Sequence, residues 1–166
     1  DAYFHAFCFV YDLYTLWQLT PHTRMLVAWH PFATRAILHA KRRGITTVLD
    51  IGSTHPLDQY RSLCNEHIIL GLPRPWVPAR VLAQCWIFKD VDWISIPSRV
   101  VRDSFLNNDI PEEKLLLNPY GVDTSIFKLT GVGPSQGPFT KENPLRVVIV
   151  AGLTPRKGSR LLLQIC

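Results

Sequence analysis

The sequence predicts an α/β protein with a doubly wound parallel sheet and helices on its faces. Short apolar or β-branched runs alternate with amphipathic segments of about ten to fifteen residues, which is the pattern of consecutive βαβ units. Apolar residues make up 47% of the 166 positions, so a packed core is expected and disorder is not. No internal repeat is evident.

The individual elements follow from apolar periodicity and from the residues that interrupt it. We predict strands at Met25–Trp29, Thr46–Ile51, Trp93–Ile96, Lys114–Leu117 and Leu145–Val150. We predict helices at Tyr3–Leu19, Phe32–Arg43, Leu57–Leu70 and Arg99–Asn107, and one more that opens after the Pro-rich connector Leu72–Pro78 and continues to about Asp90. The first helix is expected to carry Phe4, Phe7, Tyr11 and Tyr14 on one stripe, and the third to bury Leu57, Tyr60, Cys64 and Ile68.

A linker divides the chain. Residues 129–143 are rich in Gly, Pro, Ser and Thr, whereas residues 1–128 and 144–166 carry the periodic segments. The largely apolar run Leu145–Val150 is typical of a parallel strand covered on both faces, and such a strand needs neighbours. We therefore expect a chain truncated at both ends, with the later part of one domain, a linker and the first strand–turn–helix of a second domain.

The charge balance permits acidic partners without pointing to nucleic acid. The net charge is +5 and the pI is about 9.2. The densest cationic groups are Lys41-Arg42-Arg43 and Arg156-Lys157, and both lie near predicted helix ends. Since no aromatic–basic RNA signature accompanies them, we expect no nucleic-acid binding. Peripheral contact of Lys41-Arg42-Arg43 with anionic lipid stays open.

The cysteines and the first helix bear on metal sites and location. Cys8, Cys64, Cys85 and Cys166 show no spacing typical of metal ligands, so no metal site is expected. Thiols on apolar helix faces favour a reducing compartment, and we predict a cytoplasmic protein. The apolar stretch Tyr3–Leu19 is too short for a membrane span.

One segment has the chemistry of an anion site. Ala151-Gly152 allows a tight turn after the predicted last strand, and Pro155-Arg156-Lys157-Gly158-Ser159 then places two cations at the start of a helix. Free N–H groups at a helix start already attract anions. Lys157 and Arg156 are therefore candidate phosphate ligands.

Three segments, in order, resemble a known family. Trp93–Phe127 (WISIPSRVVRDSFLNNDIPEEKLLLNPYGVDTSIF) resembles the family 4 glycosyltransferases of the GT-B fold. The terminal VAGLTPRKG looks like the first strand and turn of their donor domain. The stretch Asp50–His67 (DIGSTHPLDQYRSLCNEH) resembles a Gly-Ser-x-His…Gln…Glu-Glu variant of the same family. Together the three cover most of Met25–Cys166.

The resemblance implies two Rossmann-like domains that face a cleft, a nucleotide-sugar donor and a saccharide, lipid or other acceptor. It also implies retention of anomeric configuration and no active-site metal. Lys157 matches the lysine that contacts the donor phosphates in that family. Many members carry an arginine just after the strand-end glycine, where this chain has Ala151-Gly152. Gly152 is therefore a donor-site position at which this chain lacks a cation. Arg156 is the candidate that could replace it.

Two further positions are site candidates. His55 follows a predicted strand end, the edge at which α/β sheets place ligands, and a histidine in this region of the family lies near the reacting sugar. His55 is therefore the candidate catalytic residue; the alternative is a turn histidine bonded to backbone. His30 is a lesser acceptor-side candidate, and Ser53 and Thr54 are interpreted as helix caps.

The loop that carries Gly121 and Asp123 is expected to lie beside the cleft. Gly121 fits a position where a ligand or the other domain leaves no room for a Cβ atom. Asp123 is expected to bond a neighbouring backbone N–H.

The predicted function is a retaining, metal-independent transfer of a sugar from a nucleotide-sugar. The alternative is a non-catalytic GT-B-like binding or regulatory subunit, and a third class is a generic phosphate or nucleic-acid binder. Because most of the donor domain would be missing, residues 1–166 alone are expected to lack transferase activity.

Overall fold

The computed structural model describes residues 2–76, 84–128, 139–141, 144–152 and 154–165. The chain divides into two compact units, Asp1–Pro119 and Tyr120–Cys166. This division precedes the predicted linker, most of which lies outside the described residues. The linker and the domain bounds therefore stay predictions.

The first unit is built on a four-stranded parallel sheet. Its strands are β1 (Met25–Trp29), β2 (Thr46–Asp50), β3 (Trp93–Ile96) and β4 (Leu115–Leu117), in the order β1-β2-β3-β4. All three pairings are parallel. The predicted α/β class with a parallel sheet is confirmed, and the bounds of these four strands agree with the prediction to within one residue.

Helices connect and flank these strands. They are α1 (Ala2–Gln18), α2 (Thr34–Arg42), α3 (Pro56–Ile69), α4 (Ile87–Asp90) and α5 (Arg99–Leu106), with single 3-10 turns at Gln84–Trp86 and Glu112–Lys114. Only the last part of the predicted helix ending near Asp90 can be compared, because residues 77–83 lie outside the described part. Among the described residues, no helix has the length and apolar character needed to cross a bilayer.

The core joins α2 to the sheet and to the helices before and after β3. Ala36, Ile37 and Ala40 lie on one face of α2 and are fully buried. Phe88 from α4 and Phe105 from α5 are the largest fully buried side chains. Cys8, Cys64 and Cys85 are half-buried and form no disulfide in the described part of the chain.

The aromatic stripe of α1 is largely exposed. Phe4, Phe7, Tyr11 and Tyr14 are exposed, although the first three touch the edge or face of the Phe32 ring, with centroids 5.8 to 6.1 Å apart. Among the described side chains of α1, that of Asp12 is buried, and Leu16 packs partly buried against the core. The carboxylate is drawn inward because it accepts hydrogen bonds from the first turn of α2.

Helix α3 is less buried than predicted. Leu57, Tyr60 and Cys64 are half-buried, but Ile68 is exposed, so its predicted inward position is wrong. Ile69 and Leu70 are exposed as well, so the apolar periodicity does not correspond to burial at the end of α3.

The second unit lacks the predicted strand. Residues 144–150 have no regular secondary structure in the described part, and Val148 and Val150 are exposed. A parallel strand requires hydrogen-bonded neighbours, and the described residues of this unit supply none. A 3-10 turn, Pro155–Lys157, and helix α6 (Ser159–Ile165) follow, as the turn and helix signals predict.

Candidate functional site

The carboxyl ends of the four strands meet at one edge of the sheet. Hydrogen bonds continue just past the strands, because His30 N donates to Asp50 O at 3.3 Å, Ile51 N to Ser95 O at 3.0 Å and Asn118 N to Ile96 O at 2.8 Å. In open α/β sheets this edge is where ligands bind. It carries both histidines that the sequence analysis placed at strand ends.

The strand order does not create a ligand crevice at this edge. Each described strand lies beside the one before it, so the order β1-β2-β3-β4 never reverses. Ligand crevices in doubly wound sheets open where the order reverses. Since the described strands contain no such point, side chains have to define the candidate site.

His55 caps helix α3 and is buried. The imidazole Nδ1 accepts a hydrogen bond from Leu57 N at 3.3 Å, and the His55 backbone N donates to Ser104 Oγ at 2.9 Å. Only 2% of the residue is exposed, and its ring centroid lies 5.2 Å from that of Phe88 and 5.1 Å from that of Phe105. This is the geometry of the alternative interpretation, a turn histidine bonded to backbone; a catalytic role of His55 stays a prediction.

The surroundings of His55 keep the ring neutral. Burial lowers the pKa of His55 to about 4; Asp58 acts in the opposite direction and Arg61 in the same one. Because Nδ1 accepts the N–H of Leu57, the neutral ring carries its proton on Nε2. At neutral pH His55 is therefore a hydrogen-bond donor rather than a general acid.

The ring of His30 contacts Phe88, as the ring of His55 does. Its ring centroid is 5.0 Å from that of Phe88, and its Nε2 atom is buried without a hydrogen-bond partner among the described residues. Burial, with a smaller contribution from His55, lowers the pKa of His30 to about 4. The structure thus brings His30 and His55 together around Phe88, a residue that the sequence analysis missed because no local pattern distinguishes it from other core residues.

The turn between β2 and α3 is held by a glutamine. Gln59 Nε2 donates to Thr54 O at 2.6 Å and to Ser53 Oγ at 3.1 Å. Neither Ser53 nor Thr54 caps α3, so the predicted capping role of these two residues is wrong. His55 has taken that role because Pro56 occupies the first helical position and fixes the register of the cap.

The predicted donor residues lie in the second unit. Lys157 is exposed, and its backbone N donates to Thr154 O at 2.9 Å. Gly158 follows with a φ of +76°, a conformation that favours glycine, and ends the 3-10 turn before α6 begins. The side chain of Arg156 lies outside the described part. A Cβ atom at Gly152 would meet nothing within 4 Å.

The loop with Gly121 and Asp123 is described in the same unit. A Cβ atom at Gly121 would also meet nothing within 4 Å, so the expected close approach of a ligand or domain stays a prediction. Asp123 accepts hydrogen bonds from Ser125 N at 2.8 Å and Ser125 Oγ at 2.6 Å, which confirms its predicted bond to a neighbouring N–H. These two hydrogen bonds lower the pKa of Asp123.

The described residues contain no candidate metal site. They contain no group of three or more His, Cys, Asp or Glu side chains placed to hold an ion.

Comparisons with protein-family models, with curated proteins and with solved structures find no match for this chain. A functional proposal consequently rests on the residues of the chain itself and on the order in which they occur.

Proposed function

We propose that this chain serves a retaining, metal-independent glycosyl transfer from a nucleotide-sugar to an acceptor hydroxyl. Residues 1–128 belong to the acceptor side in this proposal and residues 144–166 to the donor side. The observation that carries it is the run Trp93–Phe127, whose local structure has the order typical of the family it resembles.

The local structure of that run supports the proposal. Strand β3 leads to Ser98, whose Oγ accepts a hydrogen bond from Val101 N at 3.3 Å and caps α5. The 3-10 turn Glu112–Lys114 precedes β4, and the Asp123 turn follows. The Pro-Ser cap, the Glu-Glu-Lys turn and the Gly-Val-Asp turn are the features on which the resemblance depends.

Lys157 is the proposed donor ligand. An exposed ammonium group beside a turn stabilises the negative charge that develops on a leaving nucleoside diphosphate. Gly152 is a proposed point of close backbone approach, because the space beside it is open. Arg156 is proposed as a second cation in place of the arginine that this chain lacks at Ala151-Gly152.

On the acceptor side, the neutral histidines are proposed to donate hydrogen bonds rather than to transfer protons. The Nε2–H of His55 is a donor for a sugar or acceptor hydroxyl. Such a role requires substrate to reach a ring that is 2% exposed. His30 is half-buried as a residue, but its Nε2 atom is buried as well, so substrate would have to displace neighbouring side chains to reach either ring.

Calorimetric titration tests the proposal against the third class, a generic phosphate or nucleic-acid binder. UDP, GDP and mixed-sequence duplex DNA are each titrated into the protein at two salt concentrations. The proposal expects saturable binding of one nucleoside diphosphate and much weaker binding of DNA. Binding of DNA that is tighter and falls steeply with salt would instead assign the cations to nucleic acid.

A second candidate is a non-catalytic GT-B-like subunit that binds a sugar phosphate or a partner. The burial of His55 as a helix cap and the absence of an arginine at Ala151-Gly152 favour it. The two candidates differ in one feature of the full polypeptide: the transferase requires an acidic donor-sugar motif, and the binding subunit does not.

A further inference from the structure

Helix α1 presents an exposed aromatic surface. Tyr3 is 90% exposed and Trp17 79%, at opposite ends of the helix. Between them lie further exposed apolar side chains on the same stripe, Phe7, Val10 and Tyr14. The surfaces of soluble proteins rarely carry contiguous apolar patches of this size, and such patches commonly mark a site of interaction. We call this surface the α1 face.

The α1 face carries no exposed carboxylate. The only acidic residue of Ala2–Gln18 is Asp12, which is 6% exposed and has both carboxylate oxygens hydrogen-bonded to backbone N–H groups of α2. The face is therefore free of negative charge among its described residues.

Cations lie close to α1, beside this stripe. The guanidinium carbon of Arg35 lies 4.4 Å from the centroid of the Phe9 ring. Arg43 donates hydrogen bonds to Leu19 O at 3.3 Å and Thr20 O at 2.9 Å, just past the end of α1. An aromatic surface bordered by arginines complements a surface that is apolar inside and negatively charged at its boundary.

The dimensions and side chains favour attachment to the surface of a membrane. A helix of 17 residues is about 25 Å long. It does not qualify as a span, and its contacts through Asp12 and Phe32 hold it against the unit. Tyrosine and tryptophan prefer the headgroup boundary, where the ring is buried and its polar atom stays hydrated.

We propose that the α1 face docks the protein on an anionic phospholipid surface. The aromatic side chains enter the boundary between headgroups and acyl chains, and Arg35 and Arg43 lie at the level of the lipid phosphates. This inference is independent of the proposed glycosyl transfer.

Vesicle sedimentation with the full chain tests this proposal. The vesicles are phosphatidylcholine alone, or phosphatidylcholine with roughly one-third phosphatidylglycerol, enough to give an anionic surface. The double variant Tyr3→Ser/Trp17→Ser removes two exposed aromatic side chains, neither of which touches Phe32. The matched control is Trp76→Ser, because Trp76 is 81% exposed and lies outside α1.

The proposal expects strong binding to the anionic vesicles and weak binding to the neutral ones. The affinity of the double variant should be lower by about tenfold or more, since two aromatic side chains no longer enter the lipid. The affinity of the control should change little. Absence of vesicle binding, or equal binding by the double variant, overturns the proposal. Self-association that the double variant abolishes, without vesicle binding, assigns the face to a second copy and overturns it as well.

A charge variant provides a test that leaves the aromatic side chains in place. Arg35→Gln should reduce binding to anionic vesicles about fivefold, the effect of removing one cation near the surface, and should leave binding to neutral vesicles unchanged. Arg99→Gln, an exposed arginine at the start of α5, is the control and should have no effect. An equal effect of both substitutions would contradict docking through the α1 face.

Discussion

The carboxylate of Asp12 caps helix α2 at Ala36 from a neighbouring helix. Asp12 Oδ1 accepts a hydrogen bond from Ala36 N at 2.8 Å, and Oδ2 accepts one from Arg35 N at 2.8 Å. The local N-cap residue is Ala33, which has no side-chain acceptor. Asp12 therefore satisfies two of the first-turn N–H groups and places a negative charge at the positive end of the helix.

Replacing Asp12 should destabilise the first unit. Asp12→Ala leaves the buried N–H of Ala36 and the partly buried N–H of Arg35 without an acceptor, and we expect the free energy of unfolding to fall by about 2 kcal/mol in urea denaturation. Asp12→Asn keeps one acceptor oxygen and should lose less. The control is Asp103→Ala, which removes an exposed carboxylate from α5. Equal stability of Asp12→Ala and Asp103→Ala would show that the cap contributes nothing.

Ser104 should stabilise the turn that carries His55. Its buried Oγ accepts from His55 N at 2.9 Å and donates to Val101 O at 2.6 Å. Ser104→Ala removes the only described acceptor of that N–H, and the expected loss is about 1–3 kcal/mol in the free energy of unfolding. Ser62→Ala, on the exposed surface of α3, should stay within about 0.5 kcal/mol of the parent protein. A loss no larger than that of Ser62→Ala would contradict the assigned hydrogen bond.

The two histidines should make stability depend on pH. The pKa values of His30 and His55 are about 4 in the folded protein, below the ordinary value of 6.5. Between pH 6.5 and about 4 the unfolded chain therefore binds protons that the folded one does not. Stability is complete above this window and falls as pH decreases through it, by on the order of 3 kcal/mol for each ring.

A single substitution isolates the contribution of His55. Asn is also a good N-cap, so His55→Asn keeps an acceptor for Leu57 N while it removes the titrating ring. Urea denaturation at several pH values should show a smaller decrease in stability between pH 6.5 and 4 for this variant. His22→Gln, at an exposed position, should leave the decrease unchanged. The pKa assignment is refuted if His55→Asn follows the pH profile of the parent protein.

The sequence predicted the sheet well because strand signals are local. Met25–Trp29 and Trp93–Ile96 are short apolar runs between turn residues, and both form strands with the predicted bounds. Ser98, directly before Arg99, caps α5 with its side chain. These features depend on residues within a few positions of one another, so periodicity and capping preferences are sufficient to predict them.

The burial of α1 was not predictable in the same way. Phe7 and Tyr11 form an apolar stripe, yet among the described side chains of α1 it is Asp12 that is buried. Its partners, Arg35 and Ala36, lie on another helix, and nothing in the sequence around Asp12 indicates that pairing. The strand predicted at Leu145–Val150 failed for a related reason, because a parallel strand depends on neighbours that the described residues of the second unit do not include.

The candidate site was predicted only in part. The positions of His30 and His55 at strand ends follow from strand and turn signals, and the structure agrees with them. Their common contact with Phe88 and the burial of His55 depend on tertiary packing. Lys157 is exposed, and its role as a phosphate ligand stays a prediction.

Titration of UDP and GDP into Lys157→Ala tests the proposed function most directly. Lys128→Ala is the matched control, because Lys128 is another exposed lysine of the second unit and lies outside the Pro155–Gly158 turn. If Lys157 binds the donor diphosphate, Lys157→Ala should weaken binding of the preferred nucleotide about tenfold or more, as expected for loss of a charge-assisted contact, while Lys128→Ala binds like the parent protein. Equal affinity of the two variants, or no nucleotide binding by the parent protein, would contradict the proposed donor site.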